Sequence, residues 1–173
     1  MSISYKKVIM TGLVGGFLGG AVKMGWEALL PPRTPERDEE PPPMTMLHQL
    51  DLPENVKHAS YHYNGNEIPL TIMGVHYGFS IANALGYALL AEKCPQVKVL
   101  RGSIFGVLVN IAFHEYLLPK LSLTPKVEDL PKEERFSELL GHIIWMNTID
   151  FVHSSSTVSY THLRAHETRH DLV

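Results

Sequence analysis

The stretch that decides the fold is Leu70–Ala91, LTIMGVHYGFSIANALGYALLA, 22 residues without one Asp, Glu, Lys or Arg. Its only strongly polar side chains are Thr71, His76, Ser80 and Asn83. A helix of a soluble bundle carries a charged face opposite its apolar one, and this segment has none. Backbone hydrogen bonds closed within the helix make such a pattern stable in lipid, and ~20 largely apolar residues cross a ~30 Å hydrocarbon core.

Three further stretches read the same way. Val8–Leu30 holds only Lys23 and Glu27 as charges, Gly102–Leu118 only Glu115, and Phe136–Val152 only Glu138 and Asp150 near its ends. The expected fold is therefore all-α, an integral membrane bundle of four transmembrane helices over about 8–30, 70–91, 102–121 and 136–152. The first stretch is too long for the apolar core of a secretory signal and has no small-x-small cleavage site after it. It ends at Pro31-Pro32-Arg33, where proline stops the helix, and Trp26 and Arg33 suit a headgroup-level anchor.

What lies between the stretches is polar. Residues 31–69 contain eight prolines and the run Glu36-Arg37-Asp38-Glu39-Glu40, which reads as a hydrophilic loop, extended around Pro41-Pro42-Pro43. Lys6 and Lys7 share one side with Lys93, Lys98 and Arg101 of the short second connection, so the positive-inside rule favours an inward amino terminus. The whole chain has 173 residues, one Cys and a net charge of −3. One domain fits that length. The charge balance excludes a nucleic-acid footprint, and the lone Cys excludes a disulfide framework or a thiolate cage. Residues 155–173 look non-native: Val158–Val173 resembles translated adapter read-through, so its spaced His162, His166 and His170 carry no weight.

Small residues repeat at helical spacing. Gly12, Gly16 and Gly20 form one ladder, Gly74, Gly78, Ala82 and Gly86 a second, and Gly102 and Gly106 open the third span. Close backbone approach drives helix association in lipid. The expected use is packing inside one bundle, with pairing of two copies through the same faces as the other possibility.

Ionisable groups are expensive inside a membrane and default to a functional role. Measured from the side bearing the Pro31–Pro69 loop, Lys23, His76, His114 and His142 all fall roughly 6–11 Å below the surface at ~1.5 Å per residue. Glu27 lies one turn from Lys23, and Glu138 one turn before His142. Asn83, Asn110 and Asn147 lie deeper and suggest a second polar layer. The layer reads in three ways. It is glue between helices, a set of protons bound on imidazoles near their ordinary ~6.5, or a zinc site assembled from separate helices. No spacing motif supports a metal, and no nucleophile elbow, phosphate loop or HExxH is present. The expectation is a proton layer of Lys23, Glu27, His76, His114, Glu138 and His142, with no metal, no cofactor and no enzyme activity. The rival is a structural protein whose polar layer only fixes packing.

Several of these segments together resemble a known family. Val22-Lys23-x-Gly25-x-Glu27 leads to Leu30-Pro31-Pro32-Arg33-x-Pro35, and Gly74-Val75-x-x-x-Phe79-Ser80 is followed by Gly86-Tyr87 and Ala91-Glu92-x-x-Pro95. Later come His114, Pro119, Leu123-Thr124-Pro125 and Ser137-Glu138-x-x-Gly141-His142-x-x-Trp145. Over about residues 8–152 the chain is similar to the YagU-like inner-membrane proteins of bacteria. That resemblance implies a small multi-span protein of the bacterial cytoplasmic membrane, linked to acid tolerance and without an assigned activity. It places Lys23, Glu27, Arg33, His76, His114, Glu138 and His142 where the family has the same residue types, with Asp150 where Glu is expected.

Overall fold

The computed structural model describes residues 3–33 and 40–170, with side chains as far as Ser156. The chain is mostly helical. Helix α1 is Tyr5–Leu29, α2 Pro42–Gln49, α3 Glu54–Lys57, α4 Leu70–Lys93, α5 Pro95–Lys120 and α6 Lys132–His170. The four long helices run alternately up and down. Lys7 at the start of α1 meets Glu92 at the end of α4, and Lys23 near the end of α1 meets Glu138 near the start of α6. Helix α1 lies against α4 and α6, and α5 packs on α6.

Glycine sets these distances. A Cβ on Gly16 would lie 2.6 Å from the Ile81 Cα of α4, and one on Gly19 would lie 2.9 Å from Ile149 of α6. A Cβ on Gly106 of α5 would lie 2.6 Å from the His142 carbonyl oxygen. The first ladder is thus consumed inside the bundle, while Gly74, Gly78 and Gly86 meet nothing within 4 Å. Between the helices sits one apolar core of Ala84, Tyr87, Val109, Trp145, Met146 and Ile149. Phe79 stands edge-on to Phe113, with ring centroids 4.8 Å apart.

Beside that apolar core the bundle buries several polar groups and exposes several large apolar ones. Thr11, Lys23, Ser80, Asn110, His142, Asp150 and His153 are buried, while Leu13, Phe17, Leu108 and Phe151 are each more than half exposed. Helices α1 and α5 are long and apolar enough to cross a membrane. That is two where the sequence led us to expect four. Helix α4 carries His76, Ser80, Asn83 and two tyrosines among its apolar residues, and α6 carries Glu138, His142, Asn147, Asp150 and His153 among its own, so both are less apolar.

The all-α expectation needs a correction. A small antiparallel sheet pairs β1, Ser60–Tyr63, with β2, Asn66–Pro69, in the register Tyr63↔Asn66. Asn64 and Gly65 both have positive φ, the two-residue Asn-Gly turn whose twist matches a hairpin. The loop also holds α2, which begins at Pro42 within the proline run that suggested an extended segment. Proline is favoured in the first turn, where its missing N–H leaves no bond unmade. Of the acidic run, residues 36–39 lie outside the described residues. Helix α6 continues through 155–170, and 171–173 lie outside the description.

Three regions depart from regular α geometry. Helix α1 is π-wound over Thr11–Gly15 and α5 over Ile111–Leu117, a winding frequent at functional sites. The start of α5 is broken, with Leu100 and Arg101 in the left-handed region. Gly102 follows at φ +79, and regular α geometry begins at Ser103.

Candidate functional site: a buried Lys–Glu–His layer

Helices α1, α5 and α6 bring five of the six expected layer residues together. Lys23 projects from α1 and is 9% exposed. Its ammonium donates to Glu27 one turn on and to Glu138 Oε1 of α6 at 2.8 Å. The same Glu138 oxygen is 3.3 Å from His114 Nε2, carried on the π-wound turn of α5. His142, fully buried, has its Nδ1 2.9 Å from the Glu138 carbonyl and 3.4 Å from Glu138 Oε1. The two imidazoles are edge to face with centroids 4.8 Å apart. Glu138 is therefore the hub.

Tautomers follow from these partners. A backbone carbonyl only accepts, so His142 Nδ1 carries its proton and donates to it. That leaves Nε2 as a lone-pair acceptor, buried and without a partner in the described structure. Behind it the Trp145 ring stands edge-on at 5.5 Å.

The sixth residue goes elsewhere. His76 lies 3.1 Å from the Gly20 carbonyl of α1, and one turn later Ser80 donates to the Gly16 carbonyl at 2.6 Å. The stripe on α4 thus serves α1 backbone. The asparagines do not build one layer either. Asn83 donates to Phe79 on its own helix and Asn147 accepts from Ser103. Asn110 is buried with Oδ1 unpartnered. Trp26, expected as a headgroup anchor, donates to the Ser137 carbonyl at 3.0 Å, tying α1 to α6. Arg33 is half-buried just beyond α1.

His114, Glu138 and His142 each offer a ligand atom within 4.8 Å of the others, so their spacing would admit a metal ion. The Lys23 ammonium already stands on the carboxylate of that set.

Sequence reasoning missed a second cluster at the opposite end of the bundle. Lys7 donates to Glu92 at 2.9 Å, and Glu92 also accepts from the Ser4 N–H at 3.3 Å. His153 Nδ1 is 3.3 Å from the Thr11 hydroxyl, and its Nε2 is 3.8 Å from Glu92. Tyr87 donates to Asp150 at 2.7 Å. The available signal was the placement of Lys7, Glu92 and His153 at the same end of alternately directed helices.

The chain from residue 17 to 151, which contains Lys23, Glu138 and both imidazoles, matches a family described as a protein of unknown function (DUF1440). The chain belongs to this family. It is also 30% identical to the inner membrane protein YagU of Escherichia coli (strain K12), over 91% of this chain and 88% of that protein. No solved structure matches. Membership agrees with the resemblance read from the Lys23–Glu27 and Glu138–His142 segments. It fits a membrane protein with two helices apolar enough to cross a bilayer.

Proposed function

We propose that this chain is a multi-pass protein of the bacterial inner membrane whose Lys–Glu–His layer binds protons and contributes to survival in acid. In this reading α4 and the first part of α6 cross the bilayer beside α1 and α5, amino terminus inside. Their polar side chains face the bundle interior, where partners rather than lipid meet them.

One observation carries the proton reading. The layer holds two carboxylates, Glu27 and Glu138, for one ammonium, Lys23. With both imidazoles neutral it carries one surplus negative charge, costly at this burial. A single proton on an imidazole balances it. His114 is the better site by geometry, because its Nε2 edge already faces Glu138 Oε1 and the charge of its cation is met there. A proton on His142 Nε2 would find no acceptor. As the surroundings acidify, His114 gains its proton and tightens α5 onto α6. The chain acts by proton binding, as sensor or relay, without catalysing a reaction.

The rival reading gives the same contacts a packing role only, and the burial of His142 against Trp145 favours it. His114→Gln separates the two in cells lacking their own copy. We expect survival at low pH to fall to the level of cells without the protein, with membrane abundance unchanged. His76→Gln should retain both, since an amide can also reach the Gly20 carbonyl. Loss of abundance at every pH for His114→Gln would support packing instead.

A further inference from the structure

Hairpin β1–β2 is short, two-stranded and only partly covered by the rest of the chain. Alternate residues of a strand share a face, so Tyr61, Tyr63 and Ile68 stand together, with Tyr61 directly opposite Ile68. His62 and Glu67, also paired across the strands, occupy the other face. Tyr61 is 56% and Tyr63 64% exposed. An isolated two-stranded hairpin is marginal in water and needs an apolar face covered. Position supplies the cover. The hairpin runs from Pro69 straight into Leu70, the first residue of α4, and the Leu70 N–H donates to the Ala59 carbonyl at 2.9 Å. The two tyrosines are thus held at the end of a helix read above as a membrane span. Tyr is enriched at that level of a bilayer, where its ring is apolar and its hydroxyl wet.

We infer that the Tyr61–Tyr63–Ile68 face of the hairpin lies on the lipid headgroup region, anchoring the entry of α4 into the bilayer. The partner is the lipid surface, and the inference rests on the membrane-spanning reading of α4.

The test uses the full chain with Cys94→Ser in phosphatidylethanolamine–phosphatidylglycerol vesicles. Spin labels are placed singly through Tyr61→Cys, Tyr63→Cys, His62→Cys and Glu67→Cys, with Phe17→Cys on the outer face of α1 as control. We expect labels at 61 and 63 to relax more with oxygen than with a water-soluble nickel chelate, and labels at 62 and 67 to show the reverse. Ile68→Cys repeats the first reading if a tyrosine variant does not reach the membrane. Equal access of the nickel chelate to both faces overturns the inference. Protection of 61 and 63 from both reagents also overturns it, since another protein surface would then cover them. A label at 17 that favours the nickel chelate shows instead that the membrane reading has failed.

Discussion

The two ends of the bundle are built from the same three residue types and differ in stoichiometry. At the amino-terminal end Lys7 meets one carboxylate, Glu92, with His153 beside it. At the other end Lys23 meets two, Glu27 and Glu138, with two imidazoles beside them. The lysines stand sixteen residues apart on α1, about 24 Å along the axis. As a whole residue Lys23 is buried and Lys7 half-buried, and Glu138 lies deeper in the bundle than Glu92, but their side-chain exposures are alike. Both lysine side chains are 11% exposed, and Glu92 and Glu138 are both 14% exposed. What differs is the count of carboxylates on each ammonium, since Asp150, the other carboxylate at the Lys7 end, accepts from Tyr87 instead. A one-to-one pair is complete as it stands, whereas two carboxylates around one ammonium leave room for one more positive charge. Similar side-chain exposure therefore goes with unequal charge count.

The largest effect should come from removing each ammonium in turn. Lys23→Met leaves two carboxylates facing each other within the bundle, and breaking such a buried arrangement costs about 3–5 kcal/mol. Lys7→Met leaves one carboxylate that still accepts from the Ser4 N–H and sits at a helix end, so about 1–2 kcal/mol is expected. Unfolding in detergent at neutral pH measures both. Adding Glu27→Gln to Lys23→Met should recover a large part of the loss, because one surplus charge is gone. Equal costs for the two lysine variants would show that charge count does not govern the ends.

The next effect concerns how each end is held in place. Gly106→Ala puts a methyl where the His142 carbonyl oxygen lies 2.6 Å away. Backbone must shift, at about 1–3 kcal/mol for an overpacked contact. Because His142 and Glu138 move with that backbone, the low-pH phenotype should weaken as well. Gly102→Ala acts at the other end, where φ is +79 and the new methyl would lie 3.0 Å from the Tyr87 hydroxyl. It should cost about 1 kcal/mol for the left-handed backbone, with the acid phenotype retained. Thermal unfolding and survival assays on the same two variants sharpen the contrast. A lost acid phenotype in Gly102→Ala alone would move the functional end.

Much of the Lys23 end was legible in sequence because its residues are local neighbours on helices. Lys23 and Glu27, and Glu138 and His142, are each one turn apart, and Gly106, Asn110 and His114 follow at the same step. Depth could be counted along each helix, but direction around it could not. His76 has the right depth and faces the Gly20 carbonyl instead. The Lys7 end left only the faint signal of shared depth. Lys7, Glu92 and His153 come from three helices far apart in the chain, and no local spacing joins them. The hairpin did leave a signal. Asn64-Gly65 between two short strands is a strong turn signature, and the abundance of proline around it suggested loop.

The smallest effect lies in the loop at the Lys23 end and decides whether the acid response begins there. His48 is 3.3 Å from Glu40, and His58 is 3.3 Å from Glu54. The hydrogen bond from Lys57 holds the Glu54 carboxyl below its ordinary value against the burial penalty, aided by the charges of Lys57, His58 and His48. A carboxyl depressed on folding stabilises above its unfolded pKa and loses that contribution as pH falls through the lower, folded value. The loop should therefore loosen only in acid below the ordinary carboxylate range, by a small amount at so exposed a residue. Amide exchange at Lys57 and His58 followed against pH checks this, and Glu54→Gln should flatten the acid limb while leaving survival unchanged. Loosening already at neutral pH would show that a contact other than the Glu54 carboxylate governs the loop.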